Sequence, residues 1–565
     1  MILQGIPSGV ETDGEVIVVG AGPAGIIQAL ELRRHGIAVT MLAGGVDGFN
    51  ADFQALSEAV IVDPRRHAPM RMAVRRALGG TSLLWGGRCV AFDDIDFAER
   101  PHVEAGTWPV DHAEIRPWYE RIAPYVDAGE MVFSAPFLPQ PPDAECRLDR
   151  LERWSEGRDL RRLHARALEG DAGLRICLGV AAIDLDIDPV TGEVTGLHVA
   201  MPSGQRKTLR ARAIVLACGG LETTRLLLAA QAAQPGLFGG PDGALGHYYM
   251  GHLEGRIAEI AFDRPGIDSE LDFFVDASGR YVRRRITIGE AAQRRHGLLN
   301  FAAWPDNPAL GDSRHRSAIL SLAYLALAAP VLGRALMPEA IRRKHLEGGV
   351  TRVAAHFGNI SRGLPRAVRE TTGFLYRRYL ARPRLPGFFI ANRARRYALF
   401  YHAEQAPNRD SLVFLGDDRD ALGMRRLRID LRYGELDARS VVASHAIIDR
   451  YLRASGIGRL EYAVAERDRV ASVLDQATDG YHQIGTTRMA DAPSRGVVDR
   501  DCRVHGTPNL FVASSSVFPT SGQANPTLLL AAFSARLAAH LARLLHQLPE
   551  SPVCPARLAA VAPVI

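Results

Sequence analysis

Two polar residues near the end of this 565-residue chain can do chemistry together. His482 lies in Tyr481-His482-Gln483-Ile484-Gly485-Thr486-Thr487-Arg488-Met489, and Asn525 lies in Gly522-Gln523-Ala524-Asn525-Pro526-Thr527. An imidazole with an ordinary pKa of about 6.5 is largely neutral at working pH, so it can take a proton from a hydroxyl. A carboxamide exchanges protons poorly, but its N–H can steady negative charge developing on an oxygen. Each residue also has a plainer reading. One histidine among 18 is most often a surface or core residue, and Asn-Pro-Thr is a good start for a helix.

The pair gains meaning from a glycine loop more than 450 residues earlier. Glu15 to Val19 is a β-branched run, Gly20-Ala21-Gly22-Pro23-Ala24-Gly25 follows it, and Ile26, Ile27, Leu30 and Leu32 continue with helical spacing. A second strand, Ala38 to Leu42, completes a βαβ unit that predicts a dinucleotide site. Gly20 permits the turn, Gly22 lets backbone amides approach a pyrophosphate, and Gly25 allows the helix to pack closely on the strand. The helix N-terminus adds oriented N–H groups and positive partial charge. Such a loop does not separate NAD from FAD. The acid that normally binds ribose at the end of the second strand is replaced by Ala43, which leaves Asp47 or a backbone group as its substitute.

Composition narrows the field. Cys89, Cys146, Cys177, Cys218, Cys502 and Cys554 have no CxxC spacing, which argues against a zinc site or a disulfide framework and predicts no metal. Met1 to Glu15 has no cationic start followed by an apolar run, so a cytoplasmic protein is expected. The formal charge of +5 comes almost wholly from arginine, since only Lys207 and Lys344 are lysines. No nucleic-acid reader motif accompanies that charge, and no nucleic-acid partner is expected.

Further segments resemble the glucose-methanol-choline (GMC) oxidoreductases. Leu78-Gly79-Gly80-Thr81-Ser82-Leu83-Leu84-Trp85-Gly86-Gly87-Arg88 is similar to the family's flavin-contacting loop, and Ala213 to Thr223 to its second nucleotide-fold segment. Gly496 to Thr527 resembles its C-terminal signature, and the His482 segment completes the set. Asn525, where many members have a second histidine, and Glu404-Gln405-Ala406-Pro407-Asn408 are most similar to the branch of pyranose oxidases and sugar dehydrogenases. The resemblance implies FAD, bound non-covalently because Leu83 and Leu84 stand where some pyranose oxidases carry a flavin-linked histidine. It implies that Gly20, Gly22 and Gly25 hold the pyrophosphate, and that Thr81, Ser82, Trp85 and Gly86 line the isoalloxazine and ribityl side. Val180 contacts adenine through its backbone, and Ser515, Asn525, Pro526 and Thr527 complete the flavin pocket. His482 is then the general base and Asn525 the oxyanion donor for an alcohol, either a sugar, a glycoside or another secondary alcohol, with hydride passing to flavin N5. His252, in another family-like segment, reads as a packing residue. A flavin monooxygenase would share the opening loop but would carry a later Gly-Asp motif that is not found here.

The implied fold is α/β, with a Rossmann-like FAD-binding domain and a second α+β substrate domain on a mainly antiparallel sheet. The expected division assigns 12–90, 150–254 and 441–547 to the first, 91–149 and 255–440 to the second, and 548–565 to a loose tail. An insertion near 315–390 is apolar and basic. Ala318 to Met337 contains Pro330 and Arg334, which argue against a full membrane span. Residues 310–400 hold 17 Arg or Lys against 4 Asp or Glu, which suits peripheral contact with an anionic membrane. Leu320, Leu322, Leu325 and Leu327 would equally suit an apolar alcohol, and oxygen, a quinone or a carrier protein could receive the electrons.

Overall fold

The computed structural model describes residues 1–6, 14–138, 140, 141, 143–329, 331, 332 and 352–547. Residues 7–13 of the N-terminal stretch, Pro330, Arg334 and Met337 of the apolar segment, and the 548–565 tail lie outside these described residues.

A six-stranded parallel sheet runs in the order Ile2–Gln4, Leu174–Leu178, Val39–Ala43, Gly14–Val19, Ala211–Leu216 and Leu510–Val512. Its strands are near-continuous apolar runs because helices cover both faces. Val16, Ile17, Val18, Met41, Leu42, Ile214, Val215 and Leu216 are essentially inaccessible. Three helices start at its edge and aim at one place: α1 (Pro23–Arg34), α2 (Gly220–Ala233) and, at the end of the chain, a 21-residue helix, Thr527–Gln547. The last is long and apolar enough to cross a membrane, yet it is mostly buried here, packed on α1.

The second sheet is antiparallel and holds Gly458–Tyr462, His252–Phe262, Arg396–Glu404, Phe301–Asp306, Tyr281–Ile288, Cys146–Trp154 and Arg88–Cys89 in that order, with Phe274–Val275 beside Tyr281–Ile288. Strands Cys146–Trp154 and Gly458–Tyr462 both pair within this sheet, so the two sheets partition the chain differently from the boundaries expected at 150 and 441. Ala181–Ile187 and Val194–Ala200 form an antiparallel hairpin, and Leu174–Leu178 belongs to the parallel sheet.

The described parts of the insertion hold two helices. α3 (Ala318–Ala328) is capped by the Ser317 hydroxyl, which accepts from the Leu320 N–H, and packs against α4 (Val353–Leu375).

Candidate active site

The chemistry gathers where the C-terminal edge of the parallel sheet meets one face of the antiparallel sheet. A long cavity begins at Val19–Ala24, passes Gly80 and Thr81, and reaches His482, Ser515, Pro526 and Thr527. Val180 to Ala182, Glu222 and Met424 line its other parts. α1 and α2 open on Gly22 and Gly219, glycines that supply no side-chain cap, and in α2 the Leu221 N–H donates to Gln483 Oε1 at 3.1 Å. The first-turn N–H groups of α1 have no such side-chain acceptor and form an anion cradle.

The glycines divide their labour as the geometry requires. Gly20 has φ +116°, and a Cβ there would lie 2.3 Å from the Ala217 carbonyl oxygen. A Cβ on Gly25 would lie 1.9 Å from the Gly20 carbonyl oxygen, so Gly25 serves packing. A Cβ on Gly22 would meet nothing nearer than Gly80 Cα at 3.8 Å, so the space over Gly22 is kept clear by no protein atom. That opening, beside uncapped amides, fits a bound pyrophosphate.

Other expected residues fall in varied places. The Ser82 hydroxyl donates to the Gly79 carbonyl and thus shapes the loop. Trp85 and Gly86 are not among the residues lining the cavity, and the Trp85 indole N–H donates to the Arg158 carbonyl at 2.5 Å. Val180 lines the cavity, with its own N–H donated to the Ala43 carbonyl. Ser515 lines it too, and its hydroxyl donates to the Gln483 carbonyl at 2.8 Å. Asp47 is not the neighbour of Ala43 that faces the cavity. It pairs with Arg161, while Glu222, held by Arg76, lines the cavity instead.

His482 and Asn525 meet as expected: Asn525 Nδ2 donates to His482 Nε2 at 2.9 Å. Two further residues fix the chemical form of this contact. Arg88 Nη1 donates to Asn525 Oδ1 at 2.8 Å, and since a guanidinium can only donate, the amide nitrogen must face His482. On the other ring nitrogen, His482 Nδ1–H donates to Asp479 Oδ2 at 2.8 Å. A neutral His482 is therefore held as the Nδ1–H tautomer, with its Nε2 lone pair turned toward the cavity side.

Asp479 is an anchor in its own right. Its carboxylate also accepts backbone N–H groups from Tyr481 at 2.8 Å, His482 at 3.2 Å and His252 at 2.8 Å. Burial alone would raise this carboxyl, but His482 and His252 together hold it well below the usual carboxylate range. His252 is more than a packing residue. Its Nδ1 lies 3.0 Å from His482 Nδ1, and its ring stacks on His402 with centroids 4.3 Å apart. Burial, and then neighbouring cations, push His402 well below its ordinary value, so it stays neutral, donating Nδ1–H to the Gln523 carbonyl at 2.6 Å. The three imidazoles have nitrogens within 4.8 Å of one another, and two of those nitrogens are already engaged, His482 Nδ1 with Asp479 and His402 Nδ1 with the Gln523 carbonyl.

Arg88 is placed by Glu152, which accepts from its Nε at 2.6 Å, and by Trp304, whose ring centroid is 4.6 Å from the guanidinium carbon. Asp479, His252, His402 and Arg88 thus belong to the site, and sequence reasoning did not find them. His252 and Arg88 stood in family-like segments without these roles, and Asp479 lies three residues before His482 in Asp479-Gly480-Tyr481-His482.

The model of the GMC oxidoreductase family matches residues 407–534, and that of an FAD binding domain matches residues 13–47. The chain is 22% identical to 2-methyl-1,2-propanediol dehydrogenase of Mycolicibacterium austroafricanum, with 94% of this chain and 95% of that protein covered. It is 32% identical to paromamine 6'-oxidase of Streptomyces fradiae over 23% of each chain. Pyridoxine 4-oxidase from Mesorbium loti shares the fold, with a TM-score of 0.51 and 16% identity over 94% of this chain and 99% of that one.

Proposed function

From a chain that belongs to the GMC oxidoreductase family, an FAD-dependent oxidoreductase acting on CH–OH groups, we propose an alcohol oxidation in which His482 is the general base and Asn525 the oxyanion donor. The observation that carries this reading is the opposed hydrogen bonding of one imidazole, with Nδ1–H held by Asp479 and Nε2 facing Asn525. An alcohol hydroxyl taking the place between these two side chains would give its proton to His482 Nε2. The Asn525 N–H would then donate to the oxygen as negative charge grows there. Arg88 sharpens that donor by holding the amide oxygen, and Asp479 steadies the imidazolium that results. Non-covalently bound FAD, cradled by Gly20, Gly22, Thr81, Ser515, Pro526 and Thr527, supplies the hydride acceptor. Thermally denatured holoprotein should release its flavin, and alcohol should bleach the flavin anaerobically in the wild type far faster than in His482→Ala.

The electron acceptor is oxygen, a quinone or a carrier protein. Peripheral contact with a membrane is favoured by one observation: α4 exposes Val353, Phe357, Leu364, Val368 and Leu375, which recur at spacings of four and seven along a single face. Exposed arginines at 352, 362 and 369 flank it. Placement in the cytoplasm, at the inner membrane face, accords with five free cysteines among the described residues.

A further inference from the structure

The antiparallel sheet continues past the catalytic pair into a second cavity, and its chemistry selects a substrate class. Along strand Arg396–Glu404, His402 and Phe400 point to the same face because side chains alternate. The neighbouring strand sets Ala302 opposite His402 and Trp304 opposite Phe400. Moving two residues outward, about 7 Å along the strand, therefore leads from the histidine cluster to an aromatic wall. A second connection is independent of the first, since the guanidinium carbon of Arg88, which holds Asn525, sits over the Trp304 ring, 4.6 Å from its centroid.

The cavity there measures about 180 Å³ and is lined by Phe273, Trp304, Pro305, Phe388, Phe389 and Phe400, with Arg283 and Asp306. Its outer side comes from the segment returning from the insertion. Asn307 fastens that segment, donating from Nδ2 to the Phe388 carbonyl at 2.6 Å and accepting from the Ile390 N–H at 3.0 Å.

Four ligand types can be weighed against this lining. A sugar presents hydroxyls on every side and needs several matched donors and acceptors, whereas five of the eight lining side chains named are aromatic rings. An anion would need a free cation, but the Arg283 guanidinium is committed to Glu152, with Nε donating at 2.6 Å. It is also enclosed by Trp304 at 4.5 Å and Phe273 at 4.8 Å. A cation suits aromatic walls in general, but the lining carboxylate that would balance it, Asp306, already acts on the Arg283 guanidinium. An uncharged apolar ring loses nothing on entry and gains edge and face contacts with the phenyl groups.

Resting on the alcohol reading above, we propose that this cavity is the subsite for the substrate's side group, and that the enzyme takes an alcohol carrying an uncharged apolar ring within a few bonds of the reacting carbon. The test is anaerobic flavin reduction of the holoenzyme by benzyl alcohol, 1-phenylethanol, 2-propanol, glucose and choline, repeated with Phe400→Ala and Phe388→Ala. The wild type should reduce fastest, per unit concentration, with a ring alcohol. Each variant should lower the ratio of ring-alcohol to 2-propanol efficiency by about 10-fold or more, the scale of one lost apolar contact region. Glucose or choline outperforming both ring alcohols would overturn the subsite, as would variants that leave the ratio unchanged at full FAD content. A holoenzyme reducible by dithionite but bleached by none of the five would overturn the alcohol reading itself and this one with it.

Discussion

His482 owes its suitability as a base to what happens on its far side. The Nδ1–H is fixed on a buried carboxylate, so a neutral imidazole keeps its lone pair on Nε2. Asp479→Asn should therefore retain most of the geometry while losing the charge that steadies the imidazolium. We expect flavin reduction by alcohol to slow by about 100-fold or more in that variant, with FAD content preserved. Its stability should also change with a defined sign. The folded Asp479 carboxyl lies below its ordinary value, so its contribution is present above about pH 4 and fades as pH falls. Thermal unfolding should show the variant less stable than wild type at pH 7, with the gap narrowing in acid. Sequence made His482 and Asn525 visible because each sits in a distinctive local string. His402 has no such string, and although His252 and Arg88 lie in family-like segments, their roles arise from strands that meet only after folding.

Among the elements, the glycine loop was the most legible, because its strand, turn and helix are encoded within about twenty consecutive residues. Its substitutions should separate sharply. Gly25→Ala drives a methyl into the Gly20 carbonyl and should leave little folded protein, whereas Gly22→Ala meets only open space and should fold while binding FAD weakly. Flavin absorbance per folded chain, with circular dichroism as the folding control, distinguishes the two, and equal behaviour would refute the division of roles. The acid missing at Ala43 was not legible in this way. Glu222, the carboxylate that lines the cavity, arrives on α2 from a distant part of the chain. Strand pairing, rather than local composition, decides that Cys146–Trp154 and Gly458–Tyr462, near the expected boundaries at 150 and 441, belong to the antiparallel sheet.

At the scale of the whole molecule, one sheet supplies the cofactor cradle and the other supplies the substrate wall, with the reacting side chains at their seam. The insertion lies beyond that wall and reaches it through Phe388, whose ring meets Phe374 of α4 at 4.9 Å. Docking of α4 on a lipid surface would thus place the substrate cavity close to the membrane. Holoenzyme should float with vesicles containing anionic lipid at low salt, and the paired change Phe357→Ser and Leu364→Ser should abolish flotation without loss of FAD. Flotation that is absent, or indifferent to both lipid charge and these residues, would remove the membrane from the account.

The central claim is that His482 takes the hydroxyl proton while flavin is being reduced, and rapid anaerobic mixing of alcohol with wild-type and His482→Ala holoenzymes measures it directly. The rate of flavin bleaching in the variant should fall by about 100-fold to 10,000-fold, the range for loss of a positioned base, while bound FAD stays at one per chain. Bleaching of the variant at the wild-type rate would contradict the assignment.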